Sequence, residues 1–137
     1  MKAITIHQPW AWAIIHAGKN IENRTWQTKH RGPLAIHASK RRHRGEYQYA
    51  RQVIQRILRD AGKSDMGVPR FEEAIRGAII GTVEVTGIAL TEPESRWWWT
   101  GPVGWMLSKQ HATAPQKISG QQGLWTVDDA LIVEYPF

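Results

Sequence analysis

Short runs of strand-like alternation dominate the hydrophobic pattern of this chain, with one or two stretches of helical spacing set between them. Residues 3–7 (AITIH) predict a strand. Pro9 then opens a helix, where its fixed φ and missing N–H cost little. Trp10, Ala13, Ile14 and Ala17 recur at helical spacing, and Gly18 stands where a C-terminal cap belongs. Residues 20–26 (NIENRTW) alternate as a strand does, and residues 33–38 (PLAIHA) read as a strand with Pro33 at its tolerated first position. From Ser39 to Gly62 the apolar positions Tyr47, Val53, Ile54, Ile57 and Leu58 suit an amphipathic helix whose exposed face carries Arg51, Arg56 and Arg59. Arg70 to Arg76 reads as a short second helix. Residues 78–85 (AIIGTVEV) form the clearest buried strand, continued by Gly87 to Leu90 past a bulge. Val103 to Gln110 is a further strand, Ala114 to Leu124 a loop broken by Pro115, Gly120 and Gly123, and Leu131 to Tyr135 a terminal strand. The sum is an α+β fold, a small mixed β-barrel flanked by helices.

The length of 137 residues suits one domain spanning 1–137, large enough to bury roughly two thirds of its unfolded surface. No residue is cysteine, which excludes disulfides, Cys-based zinc sites, Fe–S clusters and a thiol nucleophile. No targeting segment and no apolar run near the length of a membrane span is found, so a cytoplasmic protein without a membrane partner is expected.

Charge changes the picture. The chain carries 18 Lys+Arg against 12 Asp+Glu, a formal charge of +6, which points to an anionic partner, nucleic acid first. The excess is not uniform. Between Lys29 and Arg59 stand nine basic residues and one acid, Glu46. The run Ser39, Lys40, Arg41, Arg42 and Arg44 is its densest part and favours phosphate contact over a merely solvated face. Eight tryptophans are more than so small a core needs. Of the triplet Trp97-Trp98-Trp99, at least one indole must face outward if the segment is extended, so Trp97 or Trp99 is the candidate base-stacking wall.

The sharpest candidate site is Gly18-Lys19-Asn20-Ile21-Glu22-Asn23-Arg24. A glycine ends a helix and a strand begins at once. Glu22 and Arg24 then share one strand face, and Lys19 at the turn reaches the same side. This set binds a phosphate or a polar base, or else forms a surface ion pair of little consequence. The six histidines show no metal-ligand spacing, and no nucleophile elbow, Walker or dinucleotide pattern occurs, so no metal and no cofactor are expected.

These residues resemble the ASCH domain, whose mark after an N-terminal helix is Gly-x-Lys-x-x-Glu-x-Arg; this chain has one residue fewer between glycine and lysine. Gln8-Pro9-Trp10, the strand Gly32 to Ser39, the strand Ile79 to Val85 and Gly120-Gln121-Gln122-Gly123-Leu124-Trp125 are similar to the same family. The resemblance covers almost the whole chain. It implies a PUA-like β-barrel, a cleft lined by lysine, glutamate and arginine, and a link to RNA or nucleotide chemistry.

Binding of RNA or other single-stranded nucleic acid is the leading expectation, with Arg24, Ser39, Lys40, Arg41, Arg42, Arg44, Trp97 and Trp99 as contacts. A metal-independent ribonuclease is the alternative. It would use Glu22 or Glu84 as base, Lys19 and Arg24 to stabilise charge, and His37 or Lys19 as acid. One branch of the family removes acetyl from N4-acetylcytidine with a lysine, a threonine three residues later and a glutamate from a later strand. Lys19 and Glu84 match the lysine and glutamate, but Glu22 occupies the nucleophile position and Thr25 lies in the wrong strand phase. This departure argues against the amidohydrolase.

Overall fold

A computed structural model describes residues 1–136. The elements run β1 (Lys2–Ile6), α1 (Trp10–His16), β2 (Ile21–Arg24), β3 (Gly32–Ala38), α2 (Arg44–Asp60), β4 (Ala78–Ala89), β5 (Val103–Lys117) and β6 (Trp125–Thr126), with a 3-10 turn at Asp129–Leu131. Six strands form one mixed sheet in the order β2-β5-β4-β3-β1-β6. Only β1 and β3 pair in parallel; the other neighbours are antiparallel. The ladder stays open between β2 and β6, so the expected barrel is realised as a barrel-like sheet that does not close.

The core follows the period-two pattern. Val83 and Val85 on β4 meet Val103, Trp105 and Leu107 on β5, and α1 closes this layer with Ile14 and Ile15. A second cluster ties α1 and β2 to α2 through Ala13, Ala17, Ile21, Ile54 and Leu58, with Trp98 among them. Trp125 and Val127 cover β1 and β3 in a third.

Four expectations change. The helix expected from Ser39 begins only at Arg44, because Ser39 Oγ accepts the Arg41 N–H at 3.1 Å and the His43 ring caps Glu46 N–H at 3.1 Å. The densest basic run therefore precedes the helix. Residues 70–76 form no helix: 71–74 are turn and bend, and the Arg76 side chain takes the Phe71 carbonyl that the Ile75 N–H would use in a helix. Strand β5 runs on to Lys117 through the expected loop. Pro115 sits in the register jump between the pairs Ile79–Gln116 and Gly81–Ala112, where no ladder N–H is lost. The terminal strand is replaced by the 3-10 turn, capped by Asp128, and a single bridge from Val133 to Ala114.

Candidate functional site

Helix α1 is capped at Ala17 and followed by Gly18, whose φ of +75° is open to glycine and strained for other residues. The Lys19 N–H turns back to Ala13 O at 3.1 Å, and β2 starts two residues later. This corner drives Lys19 inward, and the residue is only 3% exposed. Its Nζ donates to Ile21 O and lies 3.4 Å from Glu22 Oε1. On the other side Arg24 Nε donates to Glu22 Oε2 at 2.8 Å, and Arg24 Nη2 donates to Thr5 O at 3.1 Å. Glu22 is thus held between two cations. Burial pulls the Lys19 ammonium below its ordinary pKa, the Glu22 charge opposes that pull, and Arg24 adds to it.

The three side chains line a cleft of about 410 Å³. Thr5, Ile6 and His7 at the end of β1 line it with Trp10 of α1, and α2 contributes Val53 and Ile57. The remaining lining is Asn23, Trp97, Trp98 and Thr100. Trp97 is 50% exposed, whereas Trp98 is buried. Asn23 fastens this loop: its Nδ2 donates to Trp98 O at 2.9 Å, and its Oδ1 accepts from Thr100 N at 2.9 Å and Gly101 N at 3.1 Å. Two cations, one anion, three indoles and an amide fit a flat polar ligand with negative charge.

The structure brings together Lys19, Glu22, Arg24 and Trp97. It does not bring Glu84 to them. Val83 and Val85 face the core layer, so Glu84 between them points to the opposite sheet face, where it lies 3.8 Å from Lys109. Trp99 packs on Gly104, where an added Cβ would approach its ring to 2.7 Å, and it does not line the cleft. His37, one candidate acid, is buried, with Nε2 on Ile118 O at 2.7 Å and Nδ1 on Thr5 Oγ1 at 3.2 Å. Burial lowers its pKa.

No residue of the basic run lines the cleft itself. Lys40 reaches Ser119 Oγ at 3.4 Å, Arg41 pairs with Glu46, and Arg44 pairs with Glu72 at 2.9 Å. Arg42 and Arg44 both pack on the Phe71 ring, at 4.7 and 4.4 Å. Ser39 serves the local turn and does not line the cleft. Sequence reasoning missed His7, Asn23 and the apolar wall from α2. Asn23 lies inside the Lys-Glu-Arg motif, yet its partners lie on a loop remote in sequence. Among the described residues no group of His, Asp or Glu has the makings of a metal site.

The ASCH domain family matches residues 4–118. Over 82 residues, 60% of this chain, the sequence is 33% identical to activating signal cointegrator 1 of Homo sapiens and 34% identical to that of Mus musculus. The matched stretch is 13% of each of those longer proteins. A crystal structure of a ZmASCH mutant from Zymomonas mobilis superposes with a TM-score of 0.56 at 12% identity, covering 93% of this chain and 90% of that one. At that identity the likeness is one of fold.

Proposed function

The chain belongs to the ASCH domain family, and on that premise we propose that it binds nucleic acid, RNA by preference, by taking one base into the cleft. The observation that carries this reading is that the buried Lys19 and Glu22 and the half-buried Arg24 line one cleft with the half-exposed Trp97. Such a cleft pairs a stacking face with polar edges, the combination that recognises an unstacked base. A base must leave its stack to enter, which favours single strands. The Arg42 and Arg44 surface supplies sequence-independent attraction for the backbone.

Binding is favoured over cutting by where the acids and bases stand. Both Glu22 oxygens already face cations, Glu84 is on the other sheet face, and His37 is held by Ile118 and Thr5. Of the candidate acids and bases only Lys19 and Glu22 meet, and they are paired with each other, while Glu84 and His37 stand apart from them.

The test is a fluorescence titration with short single-stranded RNA at low salt, on the wild type and Trp97→Ala, with the RNA then run on a gel. Saturable quenching that weakens in Trp97→Ala, with intact RNA and EDTA present, supports the reading. No quenching at low salt overturns it. Cleavage that survives EDTA and disappears in Lys19→Ala replaces it with a nuclease.

A further inference from the structure

Beside the cleft lies a smaller cavity of about 60 Å³, and His7 and Trp10 line both. Arg41, Arg76 and His43 give its wall a basic character, against one carboxylate, Glu46. Most of these groups are already occupied. Arg41 gives Nε and Nη2 to Glu46 at 2.9–3.1 Å, so those charges balance. His43 accepts the Glu46 N–H through Nδ1. Tyr47 donates its hydroxyl to Pro69 O at 2.7 Å.

Arg76 is different. Its Nη1 donates to Phe71 O at 2.9 Å and Ala74 O at 3.3 Å. Its guanidinium packs against the Phe71 and Tyr47 rings at 4.6 and 5.3 Å, which fixes the plane of the group. Yet Nε and Nη2 are enclosed and have no hydrogen-bond partner among the described residues. These two atoms form the fork that matches two oxygens of a phosphate. Arg42 packs on the same Phe71 ring at 4.7 Å and adds to the positive potential.

We propose that this cavity is the phosphate subsite of the ligand whose base enters the adjoining cleft, so that the site takes a nucleoside phosphate and not a bare base. The inference rests on the base-binding reading. Arg76 holds the phosphate through Nε and Nη2, and His7 stands at the junction of base and phosphate. Burial first, and then Arg41 against the opposing Glu46, holds the His7 pKa below its ordinary value. A free mononucleotide and a nucleotide unit of a strand share this chemistry.

Tryptophan quenching is titrated with a nucleoside, its 5′- and 3′-monophosphates and a dinucleoside monophosphate, on the wild type and on Arg76→Met. Methionine keeps an apolar stem beside the two rings. Phosphate-bearing ligands are expected to bind about tenfold tighter than the nucleoside, the worth of one charge-assisted fork. Arg76→Met removes that gain and leaves nucleoside affinity unchanged. Equal wild-type affinity for nucleoside and nucleotides overturns the subsite. A gain confined to monoesters supports it for a free nucleotide or strand end, and a gain shared by the diester supports it for an internal unit.

Inorganic phosphate is the second probe, followed through the ring resonances of His7 and His43. A saturable shift absent from Arg76→Met is expected. If phosphate moves the resonances but no nucleoside quenches, the base-binding reading falls and the subsite stands. If nucleosides quench and phosphate moves nothing, the subsite falls alone. Should Arg76→Met fail to fold, the wild-type phosphate titration decides.

Discussion

Asn23 Nδ2 donates to Trp98 O at 2.9 Å across 75 positions of chain. With the two bonds its Oδ1 accepts from Thr100 and Gly101, this amide joins the charged corner of β2 to the loop that carries Trp97. The motif strand thus supplies the cleft's charges and also holds its aromatic wall. Asn23→Ala leaves a backbone carbonyl and two N–H groups without this partner, and a cost of about 1–3 kcal/mol in stability is expected. Thermal unfolding measures it. Faster amide exchange at Thr100 and Gly101 should accompany it, and an unchanged exchange rate would show that the loop holds without Asn23.

Tyr47 gives a prediction at high pH. Burial raises its phenol to about 12, against an ordinary value of 10.0. Between those values the folded chain keeps a proton that the unfolded chain releases, so stability falls as pH rises from 10 to 12. Tyr47→Phe removes that slope and loses the hydroxyl's bond to Pro69 O, about 1 kcal/mol at neutral pH. Urea midpoints of the two proteins across this range check both effects.

His37 acts at the acid end. Its Nε2 meets a carbonyl and therefore carries the proton, which leaves Nδ1 to accept from Thr5. Burial holds its pKa below 6.5. Below pH 6.5 the unfolded chain takes up a proton that the folded chain resists, so stability drops as the solution is acidified. His37→Gln should flatten that drop relative to wild type, read from unfolding midpoints between pH 5 and 7.

What the sequence disclosed and withheld follows from how far each signal reaches. Strands β1, β3 and β4 were legible because each has an apolar pattern that needs no distant partner to interpret. Lys19, Glu22 and Arg24 were legible for the same reason, since a turn followed by period-two alternation places all three. The C-terminal half of β5 was not, because Pro115 breaks a strand in general and is harmless only at this register jump. Glu84 carried a chemical type but no direction; its face is set by Val83 and Val85 against α1. Arg76 reads as the end of a short helix, and only the packing of Phe71 and Tyr47 fixes its guanidinium beside the small cavity.

The basic surface yields a comparison between neighbours. Arg41 is occupied by both oxygens of Glu46, whereas Arg42, among the described residues, packs on the Phe71 ring without an ion pair. Both carry the same formal charge, so composition ranks them equally. If the surface tracks an RNA backbone, Arg42→Ala should reduce the slope of log affinity against log salt by about 0.7, one phosphate contact on a single strand. Arg41→Ala should change the slope less, and Glu46→Gln should steepen it by freeing Arg41. Salt titrations of the three variants with one RNA decide the order, and equal effects at 41 and 42 would refute the ranking.

The buried corner separates stability from binding. Glu22 has two cationic neighbours, so removing one leaves it paired. Lys19→Met keeps the Arg24–Glu22 contact at 2.8 Å and removes a charge whose burial is costly, so a stability change within about 1 kcal/mol is expected. Glu22→Gln leaves two cations facing a neutral amide and should cost about 3 kcal/mol. Ligand affinity should show the reverse emphasis for Lys19→Met, because the cleft loses one of its two positive charges while the fold is retained. A pH scan adds an independent sign. The folded Lys19 releases its proton below the ordinary 10.5 of the unfolded chain, so wild-type stability rises with pH on approach to that value. Lys19→Met lacks this rise. A mutant that keeps the rise would assign it to another group, and one that unfolds would show that the Nζ bond to Ile21 O holds the corner itself together.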